Sequence, residues 1–171
     1  PTLFDFIADQ AIVFYTSNDT FRPKPQDAFE ITADSDVLAP AAAFVQWQPV
    51  TTDTESPLLR ALQLFQRILR AHAQDADPAA RRDADLRRLH WARNVAAGEA
   101  AAERFIERLQ ELAESAGDNV SALARYYWAQ ELQSQEAFTA ALAVAEAGAE
   151  TAPKSVGGAN CRKLLTAIRQ P

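Results

Sequence analysis

"ARYYWAQELQSQEAFTAALAVAEAGAETAP", residues 124–153, carries two helical patterns and the turn between them. Its first half continues a pattern that starts near Asp118 and uses Val120, Leu123, Ala124, Tyr127 and Trp128 at spacings of three and four. In the second half Ser134 stands where an N-cap is expected. Phe138, Ala141, Leu142 and Ala145 repeat the spacing, and Pro153 marks the stop. Two helices joined by so short a turn must run antiparallel and side by side.

The same grammar extends through the rest of the chain. Thr2 and Asp5 are spaced as a helix start signal for a helix ending about Thr16. Phe4, Ile7, Ala8, Ala11, Phe14 and Tyr15 cover one side of that helix, while Leu3, Phe6 and Val13 cover others. A helix wet on one face does not have this pattern, so it is expected to be enclosed by several neighbours or by another domain. Ser56 and Pro57 form a cap and first-turn pair before Leu58, Leu62, Phe65, Ile68 and Leu69, with the helix running to about Ala73. Asp77 and Pro78 repeat the device, and the helix they start passes Leu86 and Leu89 to a stop at Gly98. Phe105, Ile106, Leu109 and Leu112 mark a further helix ending at "SAGD", and Cys161, Leu164, Leu165 and Ile168 mark a last one from about Asn160 to Gln170.

Residues 17–55 differ in character. Pro23, Pro25, Pro40 and Pro49 punctuate a polar, acidic segment with three apolar islands: Ala28 to Ile31, Val37 to Trp47, and Gln48 to Val50. So long a segment is expected to be packed on something, as an extended and partly helical excursion anchored by Phe44, Val45 and Trp47. The expectation is one all-α domain over residues 1–171: six to seven helices stacked as antiparallel hairpins over about 56–170, with an irregular excursion after the first helix.

Taking Pro153 as the closing proline of a tetratricopeptide unit, a repeat of about 34 residues, aligns six positions. Ala129, Leu132, Ala141, Ala145, Gly148 and Pro153 fall where that repeat wants small, large, small, apolar, small and proline. The preceding unit does not fit, since Val95 and Gly98 occupy the matching small and large positions and Asn119 stands where its proline belongs. The pattern is that of tetratricopeptide-like hairpin stacking with degenerate repeats.

Composition bounds the function. The 171 residues are 48% hydrophobic with only five glycines, which suits close-packed helices, and the formal net charge of −6 repels nucleic acid and anionic membranes. A single cysteine, Cys161, forms no internal disulfide. No apolar run has the length of a membrane span, and no signal peptide is visible. The start at Pro1, in a chain without methionine, leads to the expectation of a piece of a longer protein.

No catalytic, cofactor or metal site is expected. His72 and His90 are the two histidines, with Asp75 and Asp77 near the first, and no zinc-ligand spacing is present. They read as solvated or partly buried helix residues. Gly157 and Gly158 read as a turn before the last helix, and Cys161 reads as core packing instead of a nucleophile. "RRDADLRR", residues 81–88, is the densest basic run, but Asp83 and Asp85 pair by spacing with Arg87 and Arg88, giving a solvated, self-neutralised face. Asn18 and Asn119 head glycosylation-type triplets of the sort that occur by chance. The candidate interaction residues are Phe44 and Trp47 on the apolar island, and Tyr126, whose neighbourhood holds more aromatic surface than one buried stripe needs.

Both ends resemble one region of one family. "PTLFDFIADQAIVFYTS" is similar, through Thr2, Leu3, Phe4, Asp5, Phe6, Ala8, Ala11 and Phe14, to a segment upstream of the macroglobulin β-domains in bacterial alpha-2-macroglobulin-like proteins. Ala124, Tyr126, Tyr127, Ala129, Pro153, Ser155, Cys161, Leu164, Leu165, Ile168 and Pro171 resemble a helical stretch of the same proteins. Asp9 and Gln10 depart from the pattern, which has a histidine followed by a charged residue. The family's Cys-x-x-Gln thioester is absent, because Cys161 is followed by Arg162, Lys163 and Leu164. The resemblance implies an exported, periplasmic or envelope protein that traps or inhibits proteases. This chain would be a non-catalytic accessory domain of it, packing on downstream macroglobulin domains or on another envelope protein. The alternative is a free-standing, cytoplasmic tetratricopeptide-like scaffold that binds a peptide or partner helix.

Overall fold

Thr2 sets the start of the first helix. Its hydroxyl accepts from the Asp5 N–H (3.3 Å) while the Asp5 carboxylate accepts from the Thr2 N–H (2.5 Å), a reciprocal cap on α1, Leu3–Thr16. The computed structural model describes residues 2–17 and 25–170. Pro1, Pro23, Pro171 and the Asn18 triplet lie outside the described residues. The chain is all-α, with seven more helices among the described residues: α2 (Ala41–Gln46), α3 (Pro57–Ala71), α4 (Ala79–Val95), α5 (Ala101–Glu114), α6 (Asn119–Ser134), α7 (Phe138–Thr151) and α8 (Val156–Arg169). They divide into two compact units, Pro1–Ala101 and Ala102–Pro171.

In the first unit α3 is the central element and packs against α1, α2 and α4. Ser56 caps it by accepting from the Leu59 N–H, Pro57 occupies its first turn, and Leu59, Leu62, Phe65, Ile68 and Leu69 are buried. The excursion lies on this framework as a partly helical strap containing a 3-10 turn, Asp36–Leu38, and the short α2. Of its islands, Phe29, Ile31, Val37, Leu38, Ala39 and Phe44 are in the core, whereas Val50 is fully exposed. Gln66, buried on α3, donates to the carbonyls of Phe44 and Trp47, both at 2.8 Å, and so fixes the end of α2. Ala97 donates to Ile31 (2.9 Å) and accepts from Ala33 (2.8 Å), tying the strap to the chain leaving α4. Gly98 follows at φ +125°, a conformation that side chains disfavour.

Arg88 locks this unit, contrary to the expectation of a solvated basic face. It is fully buried. Its guanidinium donates to the carbonyls of Val37 (2.6 Å) and Ala39 (3.0 Å), and is held by Asp85 at 2.6 Å. The two carbonyls belong to a strap without a helical ladder of its own, so a five-donor fork from α4 supplies the missing partners. The Arg87–Asp83 pair forms as the spacing suggests, at 3.0 Å on the surface.

In the second unit α6, α7 and α8 pack on one another. Asp118 caps α6 by accepting from the Ser121 N–H at 3.0 Å, and buried Ser121 donates to the Leu112 carbonyl at the end of α5. Ala124, Ala129, Ala141 and Ala145 are fully buried, so the helices approach at methyl-group distance. Two local expectations are corrected. Ser134 is the last residue of α6 and donates to Glu131, while the turn into α7 is made by Glu136 at φ 61° with no side-chain cap at Ala137. Gly157 and Gly158 are not a turn but the first turn of α8, capped by Ser155, which accepts from the Gly158 N–H at 3.1 Å. A Cβ at Gly157 would lie 2.6 Å from the Leu123 nitrogen and 2.8 Å from the Ala122 Cβ, so glycine is what lets α8 start against α6.

Candidate functional site

Three surfaces are candidates, and α1 presents the one with the most exposed large apolar residues. Asp5 and Ala8 are buried on it, Ile12 and Tyr15 partly so, and these recur at helical spacing as the side facing α3. The opposite side holds Leu3 (75% exposed), Phe6 (64%), Ile7 (57%), Val13 (62%) and Phe14 (59%). Among the described residues α1 is therefore not enclosed on this side, contrary to the expectation. Five of its larger apolar side chains are exposed to water, while its inner side combines the buried Asp5 and Ala8 with the partly buried Ile12 and Tyr15. Apolar patches of this kind are uncommon on a free surface and mark places where another surface docks.

The candidates Phe44 and Trp47 lie in the first unit. Phe44 is fully buried, with its ring facing the Arg88 guanidinium and 6.5 Å from the Trp47 ring. It thus presents nothing to a partner. Trp47 is half-buried at the C-cap of α2 and keeps one part of its ring accessible.

Tyr126, in the second unit, is half-buried with its ring 5.3 Å from that of Tyr127. It lines a groove of about 220 Å³ between α6 and α8 with Asn160, Lys163, Leu164 and Ala167. The floor is apolar and the rim carries a phenol, an amide and an ammonium group, a lining that accepts an apolar side chain with a polar or acidic neighbour. Cys161 is beneath the helices, its Sγ 3.5 Å from the Ala122 carbonyl, and burial pushes the thiol up to about 11. A neutral, enclosed thiol of this kind is inert packing.

His72 sits at the C-cap of α3 and is 8% exposed, more enclosed than the sequence suggests, whereas His90 is exposed. Its Nδ1 is 2.6 Å from Asp75 and its Nε2 is 2.8 Å from Asp5 of α1. The hydrogen bonds to Asp75 and Asp5 raise its pKa above 6.5. The Thr2 N–H, followed by His72, holds the Asp5 carboxyl down at about 2. The i,i+3 spacing of His72 and Asp75 is visible in the sequence, but nothing there connects His72 to Asp5. Among the described residues no cluster of three or more His, Cys, Asp or Glu side chains is arranged to hold a metal ion, and no helix is long and apolar enough to cross a membrane.

Comparison with family models, curated proteins and solved structures finds no significant match for this chain.

Proposed function

We propose that this chain is a non-catalytic interaction domain of a bacterial alpha-2-macroglobulin-like envelope protein, docked through the outer side of α1 on the macroglobulin domains of the same chain. The observation that carries this reading is the placement of Leu3, Phe6, Ile7, Val13 and Phe14 in water on a helix whose other side already faces α3. The resemblance of the two chain ends to that family supplies the identity of the covering surface. A role in protease trapping or inhibition then belongs to the whole protein, with this domain as a structural support in the periplasm or cell envelope.

The test is association of the purified chain with the macroglobulin β-domains proposed as its partner. Replacing Phe6 and Val13 by glutamine keeps a helix-forming side chain and removes the apolar contact. Binding that survives this change intact contradicts the proposal.

A second reading is favoured by the groove at Tyr126: a tetratricopeptide-like scaffold that binds a peptide between α6 and α8. Burial of Ala129, Ala141, Ala145 and Gly148 where that repeat wants small or apolar residues supports the hairpin type. A cytoplasmic location goes with this alternative.

A further inference from the structure

The outer side of α1 carries five large apolar residues, but few residues of the inner side are fully buried. Asp5 and Ala8 are its two buried residues. Ile12 and Tyr15 are partly buried beside them, and two polar contacts complete the attachment. Asp5 Oδ1 meets His72 Nε2 at 2.8 Å, and on the surface Asp9 takes the Arg87 guanidinium of α4. Exposed pairs such as the second contribute little, whereas a pair closed off from water is felt strongly when one partner loses its charge.

The chemistry of the imidazole makes the first contact conditional. Both ring nitrogens face carboxylate oxygens, Nε2 toward Asp5 and Nδ1 toward Asp75. An imidazolium donates at both nitrogens. A neutral ring donates at one and turns a lone pair toward the other carboxylate. Asp75, with 42% of its side chain exposed, can turn to water, but Asp5, with 10%, cannot. Loss of the proton thus leaves the Asp5 carboxylate enclosed without its counter-charge, at the first turn of α1. Among the described residues the charged groups in contact with the ring are Asp5 from α1 and Asp75 from the turn after α3. Arg70 of α3 is taken by the Val45 carbonyl, and Arg87 of α4 by Asp9 and Asp83. The carbonyl end of α3, which His72 caps, adds a further preference for the charged ring.

We infer that Asp5, His72 and Asp75 form a proton-operated latch that fastens α1 to the end of α3 when His72 is an imidazolium and loosens it when the proton leaves. The helix so controlled is the one with the exposed apolar side, so the latch sets how rigidly that surface is presented. This inference concerns how α1 is held, and it stands or falls apart from what α1 docks against.

Hydrogen exchange of the whole chain tests it. The His72 pKa is measured by NMR from its ring proton, and amide protection factors of α1 are followed against pH after correction for intrinsic exchange. Linkage requires up to a tenfold loss of α1 protection for each pH unit by which the folded His72 value exceeds 6.5, with the loss running from 6.5 up to that value. Protection of α6, α7 and α8 should stay level over the same range. Asp75→Asn, at a partly exposed position, should lower the His72 value, so that the loss of α1 protection is smaller and is complete at a correspondingly lower pH. His72→Gln should make α1 protection independent of pH. A His72 value at or below 6.5, or α1 protection that stays flat through the measured value, overturns the latch. Should His72→Gln fail to fold, the Asp75→Asn shift decides alone, and its absence counts against the latch.

Discussion

The guanidinium carbon of Arg88 stands 4.5 Å from the centre of the Phe44 ring, and neither side chain is open to water. This pairing joins the one irregular segment of the first unit to its helices. The strap has lost the hydrogen-bond ladder that a helix would give it, and Arg88 answers with contacts to Val37 and Ala39 while Asp85 carries the opposite charge.

Arg88→Ala should accordingly be among the most damaging single changes. It strands the Asp85 carboxylate and two buried carbonyls, and a loss of about 3–5 kcal/mol is expected. Arg88→Lys keeps the charge but not the fork, and should recover only a part of it. Urea titrations followed by far-UV circular dichroism measure both. A cost below about 1 kcal/mol for the alanine variant would show that the strap is held by its apolar residues alone.

In the second unit the limiting quantity is space. A Cβ at Gly148 would lie 2.5 Å from Cys161 Sγ and 3.0 Å from the Arg125 Cβ. Gly148→Ala should therefore destabilise by about 1–3 kcal/mol, and Cys161→Ala in the same chain should return some of that loss, a non-additive pair. Gly157→Ala meets backbone at Leu123 and should have no such suppressor among side chains. Thermal melts of the single and double variants decide this. The native Cys161 thiol should also resist alkylation at neutral pH and react on unfolding, which mass spectrometry reads directly.

These features mark the limit of what the chain discloses as a sequence. The caps at Thr2 and Ser56 were legible because each is a contact three residues long, set by a hydroxyl and the turn that follows, and the start near Asp118 was legible from its periodicity. The starts of α7 and α8 were not. By propensity Gly157 and Gly158 belong to a turn, and only the nearness of Ala122 and Leu123 explains why they are helical. Arg88 was hidden for a similar reason, since its spacing to Asp85 suits a solvated face as well as a buried one. Of the surface candidates, Trp47 and Tyr126 keep accessible area but Phe44 does not. The unstriped apolar pattern of α1 pointed to an enclosed helix, and its exposed side was not legible, because which side meets α3 depends on the Asp5 to His72 contact, 67 residues apart.

The acid and base limits of the first unit follow from the same contact. Asp5 has a depressed folded-state value, so its contribution is present above 3.8 and is lost as pH falls toward about 2. His72 has a raised value, so its contribution is full below 6.5 and is lost as pH rises through the folded value. The urea midpoint of the first unit should be highest between those limits and decline on both sides. With Trp128 replaced by phenylalanine, fluorescence from Trp47 and Trp91 reports that unit alone. A midpoint that rises steadily from pH 6 to pH 8 would contradict the assignment.

Trp47→Ala and Tyr126→Ala separate the secondary surfaces from α1. If either takes part in docking on the macroglobulin domains, its loss should weaken association by roughly tenfold or more, as for an aromatic anchor, with helix content unchanged. If the Tyr126 groove holds a peptide instead, Tyr126→Ala should abolish peptide binding while association with the macroglobulin domains is untouched. Fluorescence anisotropy and calorimetry distinguish the two.

The most direct measurement is calorimetric titration of this chain with the macroglobulin β-domains proposed as its partner, comparing the native sequence with the Phe6→Gln, Val13→Gln double variant. Docking through the outer side of α1 predicts a fall in affinity of about a hundredfold, from two apolar anchors of more than 1 kcal/mol each, with stability changed by less than about 0.5 kcal/mol per site. Equal affinity for the native and variant chains would contradict the account.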